Sequence, residues 1–251
     1  MAGLTLLKVG GAELQPGPTL DQLATALAKL ATQQALVVVH GGGADIANLQ
    51  RRLGLEPRFL EGLRITDEAS MEVAEMVLSG TVNKRLTARL VREGVRAIGL
   101  SGVDGGFLRA TKLRHPKGDL GRVGEISAVD ASCLHDLLAA GFVPVVSPIS
   151  LGMDGLPYNV NADHAALAIA RALGSAKMIF LTDVPGVMRD GAVLPELRAG
   201  EAERLIEEGV ISGGMIPKVR SALEALAGGV STVCITNLDG LAAGSGTWLS
   251  T

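Results

Sequence analysis

Short, mostly apolar runs alternate along the chain with longer stretches in which apolar residues recur every three or four positions. Residues 4–9 and 35–39 are apolar runs of strand length, and the stretch that begins at Thr19 between them has helical periodicity. Strand, helix and strand in this order predict a βαβ unit, whose two strands lie parallel.

The same alternation continues toward the C-terminus. A helical segment over about 67–93 precedes the apolar run VRAIGL, a helix from about Val129 precedes FVPVVS, and NADHAALAIARALG precedes KMIFLT. The stretches EAERLIEEG and MIPKVRSALEALAGG predict two more helices, and the second precedes the apolar run STVCIT. We therefore expect an α/β fold, a three-layer αβα sandwich in which helices cover both faces of a mainly parallel open sheet.

Four polar segments interrupt this alternation, at 57–64, 107–125, 153–158 and 187–194. Each contains glycine or proline, the residues that most often mark turns. We expect them to form β-hairpin excursions from the sheet rather than crossovers between its parallel strands.

The composition favours an aliphatic core and excludes several classes of protein. Of the 251 residues, 47% are hydrophobic but only 2% are aromatic, so Leu, Val, Ile and Ala must fill the core. The formal net charge of −3, without a long basic run, argues against a nucleic-acid partner. Because no apolar stretch reaches the ~18 residues of a membrane span and no signal-peptide pattern is present, we expect a cytoplasmic protein without a membrane partner.

The cysteines and most histidines indicate no metal or redox chemistry. Cys133 lies in a predicted helix and Cys234 in a predicted strand, far apart and without CxxC spacing, which favours two buried thiols over a disulfide or metal role. His115, His135 and His164 share no ligand spacing.

Two clusters of glycine follow two of the predicted strands, in LLKVGGAEL and LVVVHGGGADI. In an open parallel sheet, ligands bind at the carboxyl ends of strands, where loops lead to helix N-termini that attract anions. Glycine lets backbone N–H groups approach a phosphate closely, and Lys8 adds a positive charge beside the first cluster. Tight turns without a ligand are the alternative. Neither cluster matches GxGxxG or GxxxxGK[ST], so neither a Rossmann site nor a P-loop is indicated.

Five further motifs accompany the clusters in a fixed order: GLRITD (62–67), GLSGVDG (99–105), YNVNADHAA (158–166), LTDVPGV (181–187) and GGMIPKV (213–219). Together the motifs resemble the amino acid kinase family over nearly the whole chain, and most closely its branch that phosphorylates N-acetyl-L-glutamate. The resemblance implies that ATP, with Mg²⁺ carried by its phosphates, donates its γ-phosphoryl group to the acceptor's γ-carboxylate in arginine biosynthesis. No dedicated protein metal site is expected, since no paired carboxylates indicate one.

The resemblance also implies roles for individual residues. Lys8, Asp163 and Lys218 match the catalytic residues, with Asp163 holding both lysines in position; a helix N-cap is the alternative role for Asp163. The residues that match the binding sites are Gly42, Gly43, Arg64 and Asn159 for the acceptor and Lys8, Gly10, Gly11, Asp183 and Lys218 for ATP.

The guanidinium of Arg64 suits bidentate binding of a carboxylate, although a solvated loop charge is the alternative. His40 stands before the second glycine cluster, where we expect a packing or turn residue rather than a catalytic one.

We expect two lobes with a boundary near Gly174, where one βα run ends and the next begins, and a homodimer, because the helix that links dimers into hexamers in the resembled family is not expected here. We expect residues 1–174 to bind the acceptor and form the dimer, and residues 175–251 to bind ATP. Because the sequence starts almost directly with strand residues, we also expect no extra N-terminal helix and hence no feedback inhibition by arginine.

Two rival functions remain to be distinguished. One is a kinase for carrier-protein-bound α-aminoadipate or glutamate in lysine biosynthesis; GLRITD, HGGG and NVNAD look less like that branch. The other is a non-catalytic sensor of amino acids or nucleotides, against which Lys8, Asp163 and Lys218 argue together.

Overall fold

The computed structural model describes residues 3–251 and contains a central eight-stranded sheet. The strands of the described chain are β1 (Thr5–Val9), β2 (Leu36–His40), β3 (Phe59–Leu60), β4 (Leu63–Arg64), β5 (Ala97–Ser101), β6 (Leu108–Lys112), β7 (Val123–Val129), β8 (Val143–Ser147), β9 (Ile149–Gly152), β10 (Pro157–Val160), β11 (Lys177–Leu181), β12 (Met188–Arg189), β13 (Ala192–Val193), β14 (Glu196–Arg198), β15 (Thr232–Thr236) and β16 (Thr247–Ser250).

The sheet has the order β14-β16-β15-β11-β1-β2-β8-β5. Its neighbouring strands are parallel in every pair except β15 with β16. Strands β1, β2, β8 and β11 are buried almost throughout, as expected for strands covered on both faces. The mainly parallel sheet that the sequence predicts is therefore confirmed.

Helices cover both faces of this sheet. They are α1 (Pro18–Gln33), α2 (Gly43–Arg52), α3 (Glu68–Glu75), α4 (Asn83–Arg92), α5 (Ser132–Ala139), α6 (Ala162–Ala172), α7 (Ala199–Glu207), α8 (Met215–Ala227) and α9 (Leu238–Ala243). One hydrophobic cluster joins the sheet to α5, α6, α7 and α8, and a second joins it to α1, α2, α3 and α4. These two clusters confirm the three-layer sandwich. Within residues 3–251, every helix is too short or too polar to cross a membrane.

The helical segment expected over about 67–93 is present but contains an irregular centre. The side chain of Asp67 caps α3 by accepting a hydrogen bond from Ser70 N at 3.0 Å. Between α3 and α4, residues Met76–Val82 form a π-helical stretch. Two of its residues, Leu78 and Val82, pack against Gly42, which follows β2.

The helix predicted from about Val129 begins later. Val129 is the last residue of β7 and pairs with Leu108 of β6, and Asp130 N still donates to Phe107 O at 2.8 Å. The Asp130 side chain then accepts from Ser132 N at 3.0 Å, which turns the chain into α5. Hydrogen bonds between β6 and β7 thus extend β7 to Val129, and the helix can begin only after this residue.

All four polar segments form or connect antiparallel strands, as predicted. The pairs β3–β4 and β12–β13 are separate two-stranded hairpins. The pairs β6–β7 and β9–β10 join into a closed four-stranded unit in the order β10-β7-β6-β9, which the sequence did not reveal.

The eight-stranded sheet runs without a break through both halves of the chain. Residues 1–174 contribute β1, β2, β5 and β8, and residues 175–251 contribute β11, β14, β15 and β16. The two sets of strands meet where β1 pairs with β11, from Thr5 opposite Lys177 to Val9 opposite Leu181.

Candidate active site

The two glycine clusters lie against each other at the carboxyl ends of β1 and β2. These strands are parallel neighbours, with Val9 opposite His40, and Gly41 N donates to Val9 O at 3.0 Å. A Cβ atom on Gly11 would lie only 3.1 Å from Gly42 Cα and 3.3 Å from Gly42 N. Gly11 therefore lets the first loop pack directly on the backbone of the second.

Two clefts open beside these loops and share residues along one wall. The small cleft, of about 290 Å³, extends from the first glycine cluster to Asp183 and Lys218. The large cleft, of about 540 Å³, extends from the second glycine cluster to Arg64 and Asn159. Both clefts are lined by four of the predicted site residues: Lys8, Gly10, Gly11 and Asp163.

Lys8 and Asp163 form an ion pair where the clefts meet. Lys8 Nζ lies 3.0 Å from Asp163 Oδ1, and the side chains are 17% and 35% exposed. Asp163 is in the first turn of α6, but Asn161 caps that helix, because its side chain accepts from Asp163 N at 2.7 Å and His164 N at 3.4 Å. Asp163 is therefore not the N-cap, and its carboxylate is available to Lys8.

Lys218 has a different partner from the predicted one. Its Nζ lies 3.1 Å from Oδ1 of Asp183, which follows β11, whereas Asp163 pairs with Lys8. Hydrogen bonds from Thr182, at 2.9 Å, and from Lys218 lower the pKa of Asp183. In this structure each lysine therefore has its own carboxylate, and the role of Asp163 in positioning both lysines stays a prediction.

Arg64 lies at the wall of the large cleft, at the end of β4. Its Nη1 donates to Gln50 Oε1 at 2.5 Å and its Nη2 to Gly43 O at 2.8 Å, and its guanidinium lies 4.7 Å from the centre of the Phe59 ring. Burial, with a smaller contribution from the charge of Arg51, lowers the pKa of Arg64. Arg64 is thus a half-buried, fixed cation rather than a solvated loop charge, and three of its five N–H groups remain for a ligand.

The other predicted acceptor residues line the same cleft. Asn159, on β10, donates from Nδ2 to Thr66 Oγ1 at 3.2 Å. Gly43 begins α2, so the helix N-terminus faces the space next to Arg64. A Cβ atom on Gly42 would lie 2.8 Å from Leu78 Cδ2 of the π-helical stretch, so a side chain there would displace Leu78.

A polar network supports the glycine loops from behind. Asp45 of α2 accepts from Arg85 Nη1 of α4 at 3.1 Å and from Gln15 Nε2 at 2.5 Å. Arg85 Nη1 also donates to Leu14 O at 2.8 Å, and Gln15 Nε2 donates to Gly11 O at 3.4 Å. This network ties the first glycine loop to the helix that follows the second, and no sequence motif indicated it.

The small cleft contains oxygen donors that suit a magnesium ion. The carboxylates of Glu13, Asp163 and Asp183 line it, and Glu13 Oε2 is buried without a hydrogen-bond partner among residues 3–251. In that part of the chain, no three His, Cys, Asp or Glu side chains form a metal cluster. These residues fit an ion that phosphates bring with them, since Mg²⁺ commonly uses only one or two carboxylates beside phosphates and waters.

His40 is buried under the second glycine loop. Its Nδ1 lies 2.9 Å from Gly41 O, and its Nε2 lies 3.0 Å from Asn83 Nδ2. Burial lowers the pKa of His40 to about 4, so a neutral ring donates from Nδ1 and accepts at Nε2. This environment agrees with the predicted packing role.

The environments of two further histidines and of the two cysteines differ in part from those that the sequence predicts. His115 and His164 line the large cleft, which their spacing did not indicate, and His115 Nε2 lies 3.1 Å from Glu61 Oε2. Both cysteines are free thiols, but the prediction that both are buried is correct only for Cys234, because Cys133 is partly exposed. Burial raises the pKa of the Cys234 thiol to about 12.

Comparisons with known proteins agree with this geometry. The family model described as "Amino acid kinase family" matches residues 3–237. The acetylglutamate kinase of Roseiflexus castenholzii is 52% identical over 236 residues, which cover 94% of this chain and 90% of that protein.

Solved structures show the same fold. The smu.665 protein of Streptococcus mutans superposes with a TM-score of 0.82 at 30% identity, covering 100% of this chain and 99% of that one. The N-acetylglutamate synthase of Neisseria gonorrhoeae, complexed with coenzyme A and N-acetyl-glutamate, superposes with a TM-score of 0.87 at 29% identity. That match covers 100% of this chain and 60% of the synthase.

Proposed function

The chain belongs to the amino acid kinase family, and from this premise we propose that it transfers the γ-phosphoryl group of ATP to the γ-carboxylate of N-acetyl-L-glutamate, in arginine biosynthesis. The observation that carries the proposal is the position of Lys8. Lys8 lines both clefts, so its ammonium group can contact a donor in one and an acceptor in the other. The 52% identity to an acetylglutamate kinase supports this choice of acceptor.

We assign ATP to the small cleft. The positively charged residues that line the small cleft are Lys8 and Lys218. The first glycine cluster also lines this cleft. We expect Lys8, Gly10, Gly11, Asp183 and Lys218 to contact the nucleotide, with Lys218 exchanging part of its contact with Asp183 for a phosphate oxygen. A magnesium ion, when bound, would neutralise phosphate charge.

We assign the acceptor to the large cleft. Arg64 offers a planar fork for one carboxylate of N-acetyl-L-glutamate, and Asn159 offers an amide on the neighbouring strand. Gly42 and Gly43 bring backbone N–H groups close to the other carboxylate, which lies toward Lys8. All the lining residues of this cleft come from residues 1–174, which supports an acceptor-binding N-terminal lobe. The small cleft is lined by residues of both parts of the chain, and the part over 175–251, which we propose as the ATP-binding lobe, contributes Asp183 and Lys218 to it.

The reaction that this arrangement supports needs no general base, because the attacking carboxylate is already ionised. Its barrier lies in bringing two anions together in line and in stabilising the charge of the transferring group. Lys8 and the glycine N–H groups supply positive potential where the clefts meet, and Lys218 supplies it within the small cleft. Asp163 keeps the Lys8 ammonium at the junction through the 3.0 Å contact.

The rival functions receive less support. The 52% and 51% identical relatives are both named acetylglutamate kinases, which does not favour a kinase for a carrier-bound acceptor. A non-catalytic sensor would not need Lys8, Asp163 and Lys218 together around the two clefts.

A parallel assay of acceptors tests the proposed function. ADP release is measured with N-acetyl-L-glutamate, L-glutamate, L-aspartate and carbamate, each with ATP and Mg²⁺. We expect turnover with N-acetyl-L-glutamate and little with the other three. Faster turnover with another acceptor would reassign the substrate, and nucleotide binding without turnover of any acceptor would favour a sensor.

We further propose that the protein works in the cytoplasm as a homodimer, as the family resemblance implies. Light scattering of the purified protein at several concentrations measures the mass directly. A monomer or a hexamer would contradict this part of the proposal.

A further inference from the structure

The small cleft contains one more carboxylate than ammonium group. Asp163 pairs with Lys8 at 3.0 Å and Asp183 with Lys218 at 3.1 Å. Glu13 is the third carboxylate of the cleft, and its residue is only 8% exposed. Among residues 3–251, its Oε2 has no hydrogen-bond partner.

The backbone fixes this carboxylate beside the first glycine loop. After Gly11 the chain makes a single 3₁₀ turn, Ala12–Leu14, which folds the Glu13 side chain back toward Gly10. A Cβ atom on Gly10 would lie 2.7 Å from Glu13 Oε2. The carboxylate thus lies next to the backbone that is expected to receive a phosphate group.

An anion at this position is unfavourable without a counter-ion. A buried carboxylate that lacks a partner loses its hydration without compensation. It would also repel the phosphates that the neighbouring loop binds. The nearest lysines of the cleft already have carboxylate partners, so a cation that arrives with the nucleotide would relieve both problems.

We propose that Glu13 is the protein's own contact for the divalent cation that accompanies the nucleotide, and that it accepts a hydrogen bond from a water of that cation. Mg²⁺ dehydrates reluctantly and keeps several waters, so a contact through water suits a carboxylate set back beside Gly10. This inference rests on the proposed function in one respect only, the assignment of a nucleotide to the small cleft.

Glu13→Gln tests the inference, because glutamine keeps the size of the side chain and removes its charge. Binding of ADP is measured by calorimetry in excess Mg²⁺ and again in EDTA, with no acceptor present. In Mg²⁺ the variant should bind ADP about tenfold more weakly than the wild type, as loss of a charged hydrogen bond produces. In EDTA it should bind ADP equally well or more tightly, because a repulsive charge is gone.

Two other variants serve as controls. Glu224→Gln removes the same charge from an exposed position on α8, outside both clefts, and should leave ADP binding unchanged under both conditions. Glu13→Asp keeps the charge on a shorter side chain and should retain more of the Mg²⁺ dependence than Glu13→Gln. Thermal unfolding without nucleotide should show Glu13→Gln at least as stable as the wild type, since its buried charge has been removed.

The outcomes separate this inference from the proposed function. Equal effects of Glu13→Gln with and without Mg²⁺, or no effect in either condition, would overturn the cation contact and leave a structural role for Glu13. Loss of stability in Glu13→Gln would show that its carboxylate is satisfied within the protein, and would also overturn it. If the wild type binds no ADP in either condition, the nucleotide assignment fails and this inference fails with it.

Discussion

Lys8 lines both clefts and Lys218 lines the small one, and each lysine is held by one carboxylate. We expect Lys8→Ala and Lys218→Ala each to lower kcat by roughly 10²–10³-fold, the usual cost of losing one preorganised group that stabilises developing charge. Steady-state kinetics with both substrates measures this loss. A variant that keeps near-normal kcat would remove that lysine from the mechanism.

The ion pairing adds a sharper test, because Asp163 contacts Lys8 and not Lys218. Asp163→Asn should lower kcat through Lys8, so it should add little to Lys8→Ala in a double variant but much more to Lys218→Ala. Equally small added effects of Asp163→Asn on both lysine variants would show that Asp163 acts through both lysines, and full additivity with both would show that it acts through neither.

Arg64 is expected to bind a carboxylate of the acceptor whose charge does not change during the reaction. Such an interaction contributes equally to the ground state and the transition state, so its loss raises KM while kcat stays nearly intact. Arg64→Lys keeps the charge but loses the two-pronged fork that Gln50 and Gly43 now hold in place. We expect KM for N-acetyl-L-glutamate to rise about ten- to a hundredfold and KM for ATP to change little.

Kinetics of Arg64→Lys with each substrate varied in turn checks this expectation. Arg58→Lys is a matched control, because Arg58 pairs with Asp67 on the exposed surface, outside both clefts. An effect mainly on ATP, or an unaltered KM for the acceptor, would contradict the binding role of Arg64.

His40 should make the stability of the protein depend on pH. Burial lowers its pKa in the folded state from 6.5 to about 4, so between these values the unfolded chain binds more protons than the folded one. This difference contributes about 3 kcal/mol to the free energy of unfolding above about pH 6.5. The contribution decreases as the pH falls and is lost near pH 4. His40→Gln should flatten the pH dependence of the melting temperature in this range. His135→Gln, at an exposed position on α5, should keep the wild-type slope, and equal slopes for wild type and His40→Gln would contradict the assignment.

At the scale of secondary-structure elements, the network of Asp45, Arg85 and Gln15 connects α2 and α4 to the first glycine loop. The side chains of Arg85 and Asp45 are only 18% and 12% exposed, so Arg85→Met would leave a largely buried carboxylate without its cation. We expect lower thermal stability and a kcat reduced by up to about a hundredfold, as a displacement of about 1 Å at a reacting centre can produce.

Arg92→Met is the matched control for this variant. Arg92 lies on the same helix and pairs with Asp21 of α1 at 2.8 Å, but the pair is about half exposed and distant in sequence from both glycine loops. Exposed pairs contribute little, so stability and kcat should stay close to those of the wild type. If the two variants behaved alike, the network would have no special relation to the glycine loops.

Elements with a regular pattern could be predicted from the sequence, and side-chain pairing could not. The parallel strands β1 and β2 follow from their apolar runs, and their adjacency accounts for the meeting of the two glycine clusters. By contrast, the partner of Lys218 depends on how α8 packs beside the end of β11, which no local pattern encodes. The closed unit of β6, β7, β9 and β10 was missed for a similar reason, since hairpins can be predicted locally but their pairing with one another cannot.

At the scale of the whole molecule, the continuous sheet leads us to expect one cooperative unfolding unit. The ladder between β1 and β11 joins strands from 1–174 to strands from 175–251, and one hydrophobic cluster contains both Leu134 of α5 and Leu249 of β16. Two lobes with separate functions can therefore share a single folding transition, because neither buries its apolar faces without the other.

The single tryptophan allows this expectation to be tested, because Trp248 lies on β16 in the C-terminal part of the sheet. Urea unfolding followed by Trp248 fluorescence should coincide with unfolding followed by far-UV circular dichroism, which reports on all the helices. Leu134→Ala removes a fully buried side chain from the N-terminal part and should destabilise the protein by about 2–5 kcal/mol. The fluorescence and dichroism midpoints should fall together, whereas Val91→Ala, at a position 54% exposed, should move neither. If Leu134→Ala shifted the dichroism while the Trp248 transition stayed in place, the two lobes would unfold independently despite their shared sheet.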